Sequence, residues 1–188
     1  LGLKFVDGLG NQLSEELDPR LESEKKRFAG TEICGKTLGI VGLGAIGSLV
    51  ANMALDLGMR VVGYDPAISV EAAWRLSSRV EKMSSLDALL KESDYITLHV
   101  PAIDATKGMI NSESISRMKP GVKLLNFARK EIVNAGDIIT ALDAGKMGSY
   151  VTDFPTPELI GHPRVLAMPH IGASTGEAED NCAVMAAD

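Results

Sequence analysis

From Thr37 onward, short apolar runs alternate with longer stretches in which apolar residues recur three or four positions apart. The first pattern predicts buried strands and the second amphipathic helices. Strands are expected at Thr37–Gly42, Arg60–Tyr64, Val80–Met83, Tyr95–Val100, Val122–Phe127, Ser149–Thr152 and Val165–Met168. Helices are expected at Ala45–Leu57, Val70–Ser77, Leu86–Lys91 and Ala135–Ala144, the last capped by Asn134. Helical turns follow between Asn111 and Met118, and a last helix starts at about Gly176. This alternation implies an α/β fold with a doubly wound, mostly parallel sheet, and the apolar strands suit burial on both faces. Right-handed crossovers place the turns after the strands on one edge, where ligands bind. The residues before Thr37 stand outside the pattern. A helix is expected from Gly2 to Leu17, joined to the core by a polar stretch, Asn11 to Phe28, that Asp18-Pro19 breaks.

Between the first strand and the first helix lies Gly42-Leu43-Gly44-Ala45-Ile46-Gly47. Gly42 allows a tight turn, Gly44 lets the backbone approach a pyrophosphate, and Gly47 lets the helix lie close on the strand. The helix N-terminus offers free N–H groups and a positive dipole end. Asp65, eighteen residues past Gly47, ends the second strand. A carboxylate there accepts hydrogen bonds from both ribose hydroxyls and repels a 2′-phosphate, which favours NAD over NADP. Asp65-Pro66 also reads as a turn initiator.

Composition narrows the partners. The 188 residues are 45% hydrophobic with a net charge of −6, which argues against nucleic acid. Lys25-Lys26-Arg27 reads as a solvated helix face. No stretch is apolar enough to span a bilayer, and no signal peptide is visible. Cys34 and Cys182 read as core thiols in a reducing compartment, hence a cytoplasmic location. His99, His162 and His170 form no ligand cluster, and no metal is expected. Trp74 and Met109 read as packing; Lys119, Lys123 and Lys130 read as solvated charges.

Candidate chemistry follows the late strands. Arg129, after the Val122–Phe127 strand, can bind a carboxylate in bidentate fashion and polarise an adjacent carbonyl; the alternative is a surface ion pair. His170, after the Val165–Met168 strand, can exchange a proton near neutral pH or serve a structural role. Asp153 and Glu158 flank the loop after Ser149–Thr152, and either could orient His170. His99, before Pro101, is expected to be structural, although it could line the cofactor crevice.

These residues resemble the D-isomer-specific 2-hydroxyacid dehydrogenases. Four blocks carry the resemblance: Gly42 to Gly47; Ser93-Asp94 through Leu98-His99-Val100-Pro101 to Thr106; Met118-Lys119-Pro120-Gly121 through Asn126-Phe127-Ala128-Arg129; and Pro169-His170-Ile171-Gly172-Ala173-Ser174-Thr175. The last block, with Glu177-Ala178-Glu179, and Phe28-Ala29-Gly30-Thr31-Glu32 resemble the branch that oxidises D-3-phosphoglycerate to 3-phosphohydroxypyruvate for serine synthesis. The resemblance implies a Rossmann-type NAD-binding domain. It implies that His170 is the acid/base, that Arg129 binds the substrate carboxylate and keto oxygen, and that Glu158 pairs with His170. Asp153 would contact the nicotinamide end. Gly42, Gly44, Ala45, Ile46, Gly47 and Asp65 would hold the rest of the cofactor, with Val100, Pro101, Thr106, Phe127, Ala128 and Gly172 beside them.

The family resemblance also implies a small-molecule 2-hydroxy acid as substrate and a homodimer or homotetramer formed through the cofactor domain. It divides the chain into a hinge or linker helix at 1–19, the cofactor domain at 20–175 and the start of a second hinge helix at 176–188, with the substrate domain outside the chain. Other D-2-hydroxy acids (glyoxylate, hydroxypyruvate or lactate as substrates) stand as alternatives, as does an NAD-sensing protein like certain corepressors. Three positions depart from the family. Lys130 stands where glycine usually follows the arginine, Asn134 replaces a frequent aspartate, and the loop Asp153-Phe154-Pro155-Thr156-Pro157-Glu158 is one residue short before the phenylalanine, with Pro157 and Glu158 reversed in order.

Overall fold

Each apolar run expected to be a strand is one in the structure, a computed structural model that describes residues 2–10, 14–171, 174–178 and 180–181. The strands are β1 (Thr37–Val41), β2 (Arg60–Tyr64), β3 (Glu81–Lys82), β4 (Tyr95–Leu98), β5 (Val122–Asn126), β6 (Met147–Thr152) and β7 (Val165–Ala167). They form one sheet in the order β3-β2-β1-β4-β5-β6-β7, with every neighbouring pair parallel. The helices are α1 (Gly2–Asp7), α2 (Ser14–Glu24), α3 (Ala45–Asp56), α4 (Val70–Arg75), α5 (Leu86–Glu92), α6 (Ser112–Arg117) and α7 (Ala135–Asp143). Serine or asparagine caps start four of them. Ser69, Ser85, Asn111 and Asn134 each accept an N–H from the first turn, as expected for Asn134.

Side chains alternate across the strands, so each face of the sheet carries its own core. Leu38 and Ile40 of β1 and Val61 of β2 pack with Ala51, Ala54 and Leu55 of α3. Val41 and Val62 point the other way. They join Ile96, Leu98 and Leu124 beneath Leu89 and Leu90 of α5, Ile115 of α6, and Ile138 and Leu142 of α7.

The chain divides into two compact units, Leu1–Ile33 and Cys34–Asp188. In the first, the single expected helix is two, α1 and α2, and Pro19 lies inside α2 instead of breaking it. A proline there costs the helix one hydrogen bond without ending it. Lys25–Phe28 is a 3-10 turn, and Phe28 stacks on Phe5 with ring centroids 5.1 Å apart.

Two packing expectations fail. Cys34 is an exposed free thiol beside Gly58, because it sits ahead of β1, outside the sheet. Trp74 is 84% exposed, because α4 buries none of its residues and turns Val70 and Trp74 outward together. Cys182 lies outside the described residues.

Asp94 joins three strands at their amino ends. Its carboxylate accepts the Thr37 N–H at 2.9 Å and the Lys119 ammonium at 3.0 Å, and its own carbonyl accepts the Lys123 N–H. Partial burial opposes its ionisation, but the Thr37 N–H and Lys119 prevail and hold its carboxyl below the usual range. The folded state therefore binds the proton less readily than the unfolded chain. This contribution is complete above the unfolded carboxylate value of about 3.9 and disappears as pH falls through the lower folded value. Replacing Asp94 by Asn should lower the melting temperature at pH 7, and the difference from the parent should close toward pH 2. A difference of constant size across that range would contradict the assignment.

Candidate functional site

The winding of the sheet reverses between β1 and β4, and a crevice opens there at the carboxyl ends of the strands. Gly42 turns the chain out of β1 with φ +92°; a Cβ on it would lie 2.6 Å from the carbonyl oxygen of His99. At Gly47 a Cβ would lie 2.0 Å from the carbonyl oxygen of Gly42. At Gly44, by contrast, a Cβ would meet open space. Gly44 caps α3 and offers no side chain to its first-turn N–H groups, so those of Ala45, Ile46 and Gly47 face an open approach. A pyrophosphate fits this cradle by charge and by room.

Asp65 stands at the end of β2 beside the cradle. One carboxylate oxygen accepts the Leu43 N–H at 2.8 Å and the other the Ala67 N–H at 2.9 Å. Asp65 forms the turn through Ala67, as one of its two readings expects, and it also ties the glycine loop to the end of β2 through Leu43.

Two clefts continue along the edge. The first, of about 350 Å³, is lined by Ile46, His99, Val100, Pro101, Ala102, Phe127, Ala128 and Arg129. The second, of about 470 Å³, is lined by Arg129, Lys130, Glu131, Asp153, Phe154, Pro155, Pro169 and His170. Arg129 is common to both. Thr106 is not among the residues lining the first cleft; its hydroxyl bonds the backbone of Pro101, which is, and of Ile103. His99 lines this cleft, with its Nε2 3.0 Å from the Thr97 hydroxyl; burial pushes its imidazole below the usual range, toward the neutral form.

Arg129 is positioned by residues to which the sequence reading assigned no role. Asn126, fully buried at the end of β5, accepts the Ala128 N–H at 3.1 Å and donates to the Arg129 carbonyl at 2.9 Å. It also donates to the hydroxyl of buried Tyr150 at 3.2 Å. The guanidinium lies 5.6 Å from the centroid of the Phe154 ring. The same ring packs on the His170 imidazole, with centroids 4.5 Å apart. Phe154 thus bridges the two groups that the sequence singles out for chemistry. His170 has φ 54°, a left-handed conformation that costs a non-glycine residue about 1–2 kcal/mol. The place of Asn126 in its block and of Phe154 after Asp153 were visible; their contacts, made across strands, were not.

The acids separate. Asp153 is buried on the second cleft, and its Oδ1 finds no donor among the described residues. A buried acceptor without a partner suits the amide group of a nicotinamide. No hydrogen bond joins Glu158 to His170 among the described residues, and Glu158 does not line the His170 cleft. The turn through Pro157 carries it back onto Thr156, whose hydroxyl donates to it at 2.6 Å and holds its carboxyl below the usual range. Gly172 lies outside the described residues.

Residues 9–172 match the family model described as D-isomer specific 2-hydroxyacid dehydrogenase, NAD binding domain. The chain is 40% identical over 171 residues to a D-3-phosphoglycerate dehydrogenase of Synechocystis, a match covering 88% of this chain and 30% of that protein. The chain thus spans less than a third of the length of this curated relative. The apo D-mandelate dehydrogenase of Rhodotorula graminis superposes with a TM-score of 0.75 at 32% identity, over 85% of this chain and 48% of that one. An NAD-complexed D-isomer-specific 2-hydroxyacid dehydrogenase of Lactobacillus delbrueckii superposes with a TM-score of 0.74 at 28% identity, over 85% and 53% of the two chains.

Replacing Asn126 by Ala removes both bonds that this side chain makes to the Ala128-Arg129 turn. The change should cost about 2 kcal/mol in urea unfolding and accelerate hydrogen exchange at the Ala128 amide. Unaltered exchange there would show that the turn holds without Asn126.

Proposed function

The chain belongs to the NAD-binding-domain family of the D-isomer-specific 2-hydroxyacid dehydrogenases, and from that premise we propose that it is the cofactor half of an enzyme oxidising D-3-phosphoglycerate to 3-phosphohydroxypyruvate. In this reading the substrate half lies in sequence outside the chain. The observation that carries the chemistry is the placement of Arg129 and His170 on one cleft, with Phe154 against both. The glycine cradle, Asp65 and the unpartnered Asp153 oxygen are the groups that would hold NAD, which accepts a hydride when bound.

Arg129 grips the substrate carboxylate and keeps the reacting C–O bond beside it. His170 takes the hydroxyl proton as the alcohol carbon gives up its hydride, leaving a carbonyl; in reduction it returns the proton. The left-handed turn at His170 and the Phe154 ring orient the imidazole. Asp153 and Glu131 are carboxylates that line the same cleft as His170.

The substrate choice is supported by the D-3-phosphoglycerate dehydrogenases at about 40% identity. A panel on the full-length protein tests it with 3-phosphoglycerate, D-lactate, D-glycerate, glyoxylate and hydroxypyruvate. Turnover of another acid without 3-phosphoglycerate would remove the choice. Binding of NAD with no turnover of any acid would favour a nucleotide-sensing role. The variant His170→Ala should lose about 10²–10⁴-fold in kcat while its affinity for NADH, followed by fluorescence, stays within twofold. Full turnover would exclude His170 from proton transfer.

The same proposal includes self-association through this domain, as a homodimer or as a homotetramer of such dimers. Its support is a stripe along α3 continued by Leu57 at its C-terminal cap: Ile46, Leu49, Met53 and Leu57 are each more than half exposed. Replacing Met53 by Asp should lower the mass seen by light scattering to that of a smaller assembly. An unchanged mass would place the interface elsewhere. Among the described residues no helix is long and apolar enough to cross a membrane. Cytoplasmic residence is part of the proposal, supported by the exposed free thiol of Cys34, and cell fractionation tests it.

A further inference from the structure

The sequence presents Lys119, Lys123 and Lys130 as three solvated charges. The structure separates them. Lys119 pairs with Asp94 at 3.0 Å, and the Lys123 ammonium lies 4.6 Å from the Tyr95 ring centroid. No carboxylate pairs with Lys130 among the described residues, and Lys130 lines the cleft that holds Arg129 and His170.

Its backbone is firmly placed. Lys130 opens a 3-10 turn, Lys130–Ile132, whose Ile132 is fully buried. The Glu131 and Ile132 carbonyls accept the N–H groups of Gly108 and Ile110. On the other side, the Arg129 carbonyl is held by Asn126. The turn is therefore pinned at both ends, and the two consecutive cations belong to a fixed rim.

Two cations on a substrate cleft exceed what a simple 2-hydroxy acid needs. One guanidinium satisfies its carboxylate in bidentate fashion. We propose that Lys130 binds a second anionic group of the substrate, distal to the carboxylate held by Arg129, and so selects doubly charged 2-hydroxy acids. This rests on the phosphoglycerate reading, where the second group is the phosphate, and it assigns part of phosphate recognition to this chain. Glu131, next in sequence and on the same cleft, acts in the opposite sense. Its carboxylate opposes a second anion and so sets the strength of the selection.

The full-length protein tests the idea through one ratio, kcat/KM for 3-phosphoglycerate over kcat/KM for D-glycerate. Both values come from the same preparation, so a partial loss of folded protein cancels. Replacing Lys130 by Ala should lower the ratio at least tenfold, mostly through KM for the phosphorylated acid. Lys130→Arg should recover most of it, and Glu131→Gln should raise it. If the parent oxidises 3-phosphoglycerate and the ratio is the same in the Ala variant, the Lys130 assignment falls and the phosphoglycerate reading stands. If the parent oxidises only singly charged acids, both fall.

Discussion

No side chain fits between the turn after β1 and the carboxyl end of β4. A Cβ on Gly42 would strike the His99 carbonyl, and one on Gly47 would strike Gly42 itself. Helix α3 must therefore start almost in contact with the sheet, and the contact continues along its length. Its buried face is made of Gly47, Ser48, Ala51, Ala54 and Leu55, small residues except for the last. The large apolar residues Ile46, Leu49, Met53 and Leu57 face outward instead. This distribution reverses the usual one, in which the bulky residues of a surface helix face the core. One steric requirement thus yields two features. It brings the N-terminus of α3 within reach of a pyrophosphate, and it leaves an apolar stripe that a partner surface could cover.

Further along the same edge, precision comes from side chains that do no chemistry. Asn126 fixes both peptide groups around Arg129 and is itself held by the hydroxyl of Tyr150. Burial pushes the Tyr150 phenol up, despite its Thr152 and Asn126 partners, so it stays neutral and able to hydrogen-bond at physiological pH. Arg129 and His170 are exposed groups on separate strand ends, and Phe154 is the surface on which both rest. An aromatic face suits this place because it attracts a guanidinium and packs an imidazole without binding either proton. A carboxylate in its position would compete with the substrate for Arg129.

The sheet was legible in the sequence because parallel strands buried on both faces leave dense apolar runs, and the glycine turn because its steric need admits one residue type. Asn134 was legible as a cap for the same local reason. What escaped depends on distant partners. Phe154 is a loop aromatic until β7 brings His170 beside it, and Asn126 is one residue of a block until β6 supplies Tyr150. Glu158 was paired with His170 by resemblance, and its bond to Thr156, two residues away, is a local contact that a resemblance does not show. Trp74 and Cys34 were placed in the core by residue type, yet they lie on elements that contribute nothing to it. Pro19 shows the limit of a local rule, since one lost hydrogen bond does not outweigh the remaining bonds of α2.

Arg129 and His170, the groups proposed to act on the substrate, are both open to solvent. A charge pair at 4 Å is worth about 1 kcal/mol in bulk water and several times more where water is displaced. Arg129 and His170, open to solvent, would therefore bind and polarise a substrate only weakly as they stand. The Asp153 oxygen is the counterexample on the same cleft, already buried and without a donor among the described residues. That arrangement is costly unless a donor arrives, whereas the exposure of Arg129 and His170 is inexpensive until something covers them. One cleft thus holds both conditions, a desolvated acceptor beside wet charges whose interactions strengthen where water is displaced.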